Sequence, residues 1–408
     1  MIRKPEDQGQ SVWLDHPGGD LVRNGELANL MQSRGICGVT VEPAMLAEAF
    51  GHTGEYTPQI CDPGRKKPPP PMARKAITIE EIRALADILL PVYIGTERCE
   101  GYVSLPIAPA VGDDTEATLA EARRLWNEID RENLLIAAPA TTAGIQAISP
   151  LIAEGINVNV TMLFTPQKYE QAALAYVDGL EKLAARGNDD TSRRVDKGDQ
   201  EGSGSYDITG LGRVASIASF CLSPIDTAID AVISSHLNQC GFIKTYGMLE
   251  RETLRSLVGR SAITSAQAAY CRFHAIFSSS RWEALAALGA RKQRLLWAST
   301  AVENPAYPEM KYLEALTQPD TIMTIPPAQL AAQHREQGEY RASRKNEGAR
   351  RNLPGLSGNT DDAANVLREL KKLHISLDEI ADRLLLLRLR RQADEYANAL
   401  SRFPGLRG

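Results

Sequence analysis

The feature that most constrains the fold is a run of apolar residues, LLIAAP, at positions 134–139. It has the length of a strand, and neither of its two faces carries a polar residue. Strands of this kind lie in parallel sheets that helices cover on both sides. The segment TTAG at positions 141–144 follows and opens a helical pattern. Ala137 is therefore predicted to lie inside a parallel sheet, near the end of the barrel or sheet where chemistry usually occurs.

Short apolar runs alternate with helical patterns along the rest of the chain. The strands are predicted at residues 11–15, 38–43, 102–107, 134–139, 157–164, 214–222, 295–300 and 321–325. The principal helices are predicted at residues 24–32, 79–92, 114–129, 166–185, 225–237 and 361–402. This alternation favours a (β/α)8 barrel over an open doubly wound sheet. Neither of the glycine-rich fingerprints of nucleotide-binding folds follows a predicted strand.

The whole chain, 1–408, is predicted to form one barrel domain with three additions. Residues 62–75 hold four consecutive prolines and a lysine-rich run, which predicts a loop. Residues 188–207 are almost without apolar side chains, which predicts a flexible insertion. The leucine-rich residues 361–403 are predicted to be helices that pack on the barrel or at a subunit interface. The chain is expected to be a monomer or a homodimer.

Composition limits the classes of function. With 408 residues, of which 43% are hydrophobic, the chain can bury a large core. A net charge of −5 argues against nucleic acid as a partner. The six cysteines form no CxxC pair, and we find no leader and no apolar run long enough to span a membrane, so a reduced cytoplasm is expected. The histidines lack metal-ligand spacing, so we predict no metal site, and we expect no cofactor.

Several motifs recur in an order that resembles the bacterial transaldolase family, from about residue 9 to residue 403. They are GQSVWLD at 9–15, GVT at 38–40, GYVSL at 101–105, DDTE at 113–116, EGINVNVT at 154–161, ASF at 218–220, WAST at 297–300 and NPAY at 304–307. The resemblance implies a (β/α)8 barrel of the class I aldolase kind. It also implies a cytoplasmic enzyme that moves a dihydroxyacetone unit between sugar phosphates through a lysine Schiff base.

The chain departs from the family pattern at the positions that carry this chemistry. The Schiff-base lysine of strand four is Ala137 here. By the same resemblance, Pro106 replaces a proton-relaying glutamate, Glu42 an asparagine, Pro224 a phosphate-binding arginine and Glu303 a basic residue. Imine formation needs an amine. The resemblance therefore predicts that classical transaldolase activity is absent and that the pocket is less cationic than a sugar phosphate requires.

The remaining polar residues define the candidate site. Asp15 matches the acid/base aspartate of the family, and with Glu42 it is predicted to form a carboxylate pair of one acid and one base. The predicted substrate-binding residues are Thr161, Ser219, Ser299 and Glu303. The same residues also fit structural roles, since a strand-end aspartate often caps a helix and hydroxyls in buried strands are often satisfied core groups.

Three functions remain open at this point. The first is an enzyme repurposed for acid/base chemistry, such as condensation, cyclisation, dehydration or isomerisation. Its substrate would be a small non-phosphorylated carbonyl or amine compound, in specialised metabolism. The second is an inactive homologue that acts as a binding or scaffold protein. The third is an ordinary transaldolase that the alanine at position 137 has inactivated.

Overall fold

Eight parallel strands form a closed barrel in the computed structural model, and each strand pairs with its neighbours in chain order. The structure describes residues 9–15, 25–41, 71–195, 210–239, 248–327, 329–330 and 360–401. The strands are β1 (Ser11–Asp15), β2 (Ile36–Thr40), β3 (Tyr102–Pro106), β4 (Leu134–Pro139), β5 (Val158–Leu163), β6 (Ser216–Cys221), β7 (Arg294–Ala298) and β8 (Thr321–Ile325). β8 pairs with β1 and closes the sheet. The predicted (β/α)8 barrel is therefore confirmed.

Helices surround this sheet and cover its outer face. They are α1 (Glu26–Arg34), α2 (Pro71–Gly95), α3 (Thr115–Ile129), α4 (Thr142–Ala153), α5 (Pro166–Val195), α6 (Ser223–Gln239), α7 (Met248–Leu257), α8 (Ser261–Ile276), α9 (Ser280–Ala286), α10 (Lys311–Ala315), α11 (Thr360–Lys372) and α12 (Leu377–Ser401). Asp114 caps α3 by accepting a hydrogen bond from Ala117 N at 2.8 Å. In the described part of the chain, no helix is long and apolar enough to cross a membrane.

Two helices extend beyond their predicted bounds into segments that the sequence pattern assigned to loops. α2 begins at Pro71, so the last five residues of the predicted 62–75 loop are helical. Proline is favoured in the first turn of a helix, where its missing N–H has no partner to lose. α5 continues to Val195, eight residues into the predicted insertion. Charged and polar residues extend an amphipathic helix without needing to be buried. The rest of both segments lies outside the described residues.

Large side chains fill the lower, amino-terminal end of the barrel. Buried side chains from six strands pack there against one another: Trp13, Tyr102, Leu135, Ile217, Leu296 and Ile322. Gly38 lies directly against the Trp13 ring, where an added Cβ would come within 2.2 Å of it. Only glycine leaves room for the indole at this point.

A network of charged side chains closes the bottom of the barrel below this layer. Arg294 Nη1 lies 2.5 Å from Glu100 Oε1, and both side chains are largely buried. Trp13 Nε1 donates to the second oxygen of Glu100 at 3.1 Å. These bonds tie β1 and β7 to Glu100, which lies two residues before β3. Side chains alternate between the two faces of a strand. The next inward side chain therefore lies two residues further along each strand, nearer the upper, carboxyl-terminal end of the barrel.

Helix α12 crosses the carboxyl-terminal face. It contacts α6, which follows β6, and the short 3-10 turn Pro109–Val111, which follows β3. These segments lie on opposite sides of the closed barrel, so the helix runs over the mouth between them. Three residues of this helix, Ala381, Leu385 and Leu389, are buried. The leucine run at residues 384–387 is therefore partly used in packing on the barrel. Leu386 and Leu387 remain exposed.

Candidate active site at the mouth of the barrel

Ala137 lies in the wall of the barrel, where the sequence predicted it. It pairs with Pro106 of β3 on one side and with Asn159 of β5 on the other. Its side chain is 3% exposed. At this level of the wall, the side chains of Ala137 and Pro106 contain only carbon and hydrogen. A methyl group at this position has no lone pair, so it supplies neither a nucleophile nor a base.

A row of polar side chains crosses the inner wall beside Ala137. Asn159 Nδ2 donates to Ser104 Oγ at 2.8 Å, and Ser219 Oγ donates to Asn159 Oδ1 at 2.8 Å. All three residues are buried. The row links β3, β5 and β6 across the inside of β4. Ser219 was predicted to bind substrate, and its hydroxyl proton is engaged by Asn159, which leaves only its lone pairs for another donor.

Sequence analysis missed Ser104 and Asn159, although a signal for both was present. Each is a polar residue at an inward position of a strand whose other residues are mostly apolar. A buried amide in such a strand requires partners for both its oxygen and its nitrogen. The expected partners are hydroxyls on nearby strands, and the structure supplies one on either side of Asn159.

Asp15 ends β1 at the mouth and is 9% exposed. Thr40, the last residue of β2, lies opposite it in the strand pairing. The Thr40 hydroxyl donates a hydrogen bond to Asp15 Oδ1, and this contact orients the carboxylate. Thr40 was not among the predicted site residues. Glu42, which was predicted to pair with Asp15, lies outside the described residues.

Strand β5 bends at its upper end, where Thr161 lies. Met162 has a φ of 59°, and the pairing with β6 shifts between Val160 and Leu163. Bulges of this kind re-aim side chains at the rims of barrels. Thr161 is half-buried, and its hydroxyl donates to Ala138 O at 3.3 Å, so this predicted substrate contact also has a partner in the protein.

The other predicted contacts, Ser299 and Glu303, lie in the segment after β7. Both are held by α12, because Arg388 Nη1 lies 3.4 Å from Ser299 Oγ and Arg388 Nη2 lies 3.7 Å from Glu303 Oε1. Glu303 also accepts a hydrogen bond from Thr227 Oγ1 of α6 at 3.0 Å. Ser299 has a φ of 55°, so β7 ends in a left-handed turn at the mouth. Arg388 was not predicted as a site residue.

Cys221 lies at the end of β6 between these groups. Burial raises the pKa of its thiol, whereas the positive charge of Arg388 and a hydrogen bond from Ser299 lower it, and the negative charge of Asp15 raises it further. The thiol is therefore protonated at neutral pH and a poor nucleophile. Cys221 pairs with Ala298 of β7, which precedes Ser299, so the thiol lies at the same end of the barrel as Ser299 and the Arg388 guanidinium that contacts it.

A buried cluster around Lys311 lies outside this site. Lys311 Nζ is 2.6 Å from Asp226 Oδ2 and 3.8 Å from the centre of the Tyr307 ring. Tyr312 donates to the same Asp226 oxygen at 2.9 Å, and burial, followed by the charge of Asp226, raises the pKa of that tyrosine. The Lys311 amine is therefore committed to an ion pair between α10 and α6.

A closed barrel of parallel strands, with polar side chains gathered at the carboxyl ends, defines a (β/α)8-barrel protein of the kind that hosts enzymes. A family model described as Transaldolase/Fructose-6-phosphate aldolase matches residues 12–403. A protein named Transaldolase 2 from Nostoc sp. is 39% identical over 80% of this chain and 79% of its own length. A transaldolase from Thiobacillus denitrificans is 36% identical over 92% of both chains. The chain therefore belongs to the transaldolase family.

Proposed function

We propose that this member of the family does not form the lysine imine of the transaldolase reaction. Its mouth instead performs acid/base chemistry on a small carbonyl or amine compound without a phosphate group. The observation that carries the proposal is Ala137. By the family resemblance this position belongs to the Schiff-base lysine, and here it holds a buried methyl group, paired with Pro106 on one side and Asn159 on the other.

The described strands offer no substitute amine, because none of them contains a lysine. Lys311 is bound to Asp226 outside the mouth. Lys182 and Lys292 contact Ser149 and Asp320 on the outer helices and the bottom of the barrel. A ketose carbonyl held in the barrel would meet no amine from these residues.

Asp15 is the acid/base group that the geometry supports. It is a largely buried carboxylate at a strand end, and the Thr40 hydroxyl fixes one of its oxygens. A carboxylate in this position can exchange a proton with a substrate held in the mouth. Glu42 follows β2 by two residues, so it is our candidate for the second carboxylate of the pair. Proton transfer between such groups and a carbonyl or amine substrate needs no covalent intermediate.

Charge at the mouth supports a substrate without phosphate. Asp15, Glu303 and Arg388 are among the described charged side chains of the mouth. A phosphate dianion would meet two carboxylates and one guanidinium there. This balance disfavours a dianion, because like charges within several ångströms repel.

Borohydride trapping tests the loss of imine chemistry. The protein is reduced in the presence of fructose 6-phosphate, fructose or dihydroxyacetone, and its intact mass is measured beside that of an Ala137→Lys variant. We expect no adduct on the natural protein, because reduction traps only an imine and the described strands carry no amine that could form one. An adduct on the natural protein would overturn the proposal, and peptide mapping would then name the lysine.

Ordinary transaldolase activity is the second candidate, because the relatives reported above bear that name. This candidate predicts that borohydride traps an adduct on the natural protein. It also requires transfer of a three-carbon unit from fructose 6-phosphate to an aldose phosphate, which a coupled assay measures directly. Turnover in that assay by the natural protein would establish the second candidate in place of the first.

A further inference from the structure

The guanidinium of Arg388 lies at the mouth, where α12 carries it across the carboxyl-terminal face, and the side chain is 33% exposed. Its contacts in the described part of the chain are a 3.4 Å hydrogen bond to Ser299 Oγ and a 3.7 Å ion pair with Glu303 Oε1. Both distances are at the long end for such contacts. A guanidinium has several N–H donors in a planar fork, and these two contacts with described residues use only part of them.

Arg388 and Asp15 reach the mouth from different elements. Arg388 comes from α12 and contacts Ser299, which follows β7, whereas Asp15 ends β1, two strands away around the barrel. A small molecule that filled the space between them would meet a cation at one end and a proton acceptor at the other. Ser299, beside the guanidinium, adds a hydroxyl at the cationic end.

We propose that Arg388 binds a carboxylate group of the substrate, with Ser299 as an additional hydrogen-bonding partner. The inference rests on the proposed function and deepens it. The substrate would be a small keto, hydroxy or amino acid, with its carboxylate on α12 and its reacting carbon toward β1. A planar guanidinium fork matches the oxygens of a carboxylate. A single guanidinium balances the single charge of a carboxylate, whereas a phosphate dianion would leave a negative charge near Asp15 and Glu303.

Titrations with simple anions test this assignment without knowledge of the true substrate. Lactate, pyruvate, inorganic phosphate and neutral dihydroxyacetone are titrated by calorimetry into the natural protein, Arg388→Gln and Arg390→Gln. Arg390 is exposed on the same helix and serves as the matched control. We expect lactate and pyruvate to bind the natural protein and the control equally, and Arg388→Gln to bind them about tenfold more weakly or worse. Phosphate and dihydroxyacetone should bind more weakly than lactate.

Two outcomes would overturn the assignment. Equal lactate affinity in the natural protein and Arg388→Gln would remove Arg388 from the site. Phosphate binding that exceeds lactate binding and depends on Arg388 would replace the carboxylate with a phosphate.

A Glu303→Gln variant keeps the test decisive if Arg388→Gln fails to fold. Removing the competing carboxylate frees the guanidinium, so lactate should bind several-fold more tightly. Unchanged or weaker binding would contradict the proposal. Binding of lactate should also survive in Asp15→Asn, which removes the proposed acid/base group and leaves Arg388 in place. An imine adduct in the borohydride experiment would refute the proposed function and leave the titration results standing, so the two failures are distinguishable.

Discussion

Asn159 is the residue on which the inner wall of the barrel depends most directly. Its amide donates to one serine and accepts from another, and all three are buried. We expect Asn159→Ala to lower the free energy of unfolding by about 2–4 kcal/mol, because it leaves two buried hydroxyls without their partner and opens a small cavity. Urea denaturation measures the loss.

Ser219→Ala is the matched control for this change. It removes one hydrogen bond and leaves the contact between Asn159 and Ser104 intact. The expected loss is smaller, about 1–2 kcal/mol. Equal losses in the two variants, or a negligible loss in Asn159→Ala, would mean that the row is not a connected network and that the amide is hydrated instead.

At the scale of elements, the Lys311 cluster joins the segment after β7 to α6 and α8. Asp226 of α6 accepts from Lys311, from Tyr312 and, through its other oxygen, from Ala262 N at 2.8 Å. We expect Lys311→Met to destabilise the protein by about 3–5 kcal/mol, because it leaves a buried carboxylate without its cation. Thermal or urea unfolding gives the difference.

A double variant separates the charge from the packing of this cluster. In Asp226→Asn with Lys311→Met the buried charge is gone, and the asparagine oxygen still accepts from Ala262 N. Much of the lost stability should return. If the double variant is less stable than Lys311→Met alone, the hydrogen bonds that the Asp226 carboxylate accepts from Tyr312 and Ala262 N outweigh the cost of burying its charge.

The sheet was the most predictable set of elements, for a physical reason. β1 and β4 have the predicted bounds, because fully buried strands of a parallel barrel are marked by uninterrupted apolar residues between polar ones. The start of α2 at Pro71 was missed, since consecutive prolines favour an extended chain until the last of them becomes the first helical residue.

The site was less predictable than the sheet. Residues at strand ends, such as Asp15 and Ser299, follow from the strands themselves. Thr40 was missed because the sequence of a strand does not show which side chain of the neighbouring strand its hydroxyl will contact. Arg388 was missed because a helical pattern shows which face is apolar, and the part of the barrel that this face covers is decided by tertiary packing.

At the scale of the whole molecule, α12 determines access to the barrel. A chain shortened to end at residue 376 loses this helix and its buried Ala381, Leu385 and Leu389. We expect Cys221, which is buried in the intact protein, to react with N-ethylmaleimide much faster in the shortened chain. Loss of Arg388 removes a charge that lowers the thiol pKa, so the faster reaction would come from access alone.

Cys99 provides the internal control for this measurement. It is exposed and lies near the bottom of the barrel, away from α12, so its rate should be the same in both chains. Peptide mapping distinguishes the two thiols. If Cys221 stays as slow in the shortened chain as in the intact one while Cys99 reacts normally, α12 does not shield the mouth.

The position of Arg388 in the chain also sets an order of events during synthesis. The ribosome delivers the amino-terminal part first, and β8 completes the sheet before α12 has been made. A nascent barrel can therefore close with Asp15 and the polar row already in place, while its mouth still lacks the cation. Until α12 docks, the mouth is open and carries carboxylates without the Arg388 guanidinium. Docking of this last helix covers the mouth and adds the positive charge.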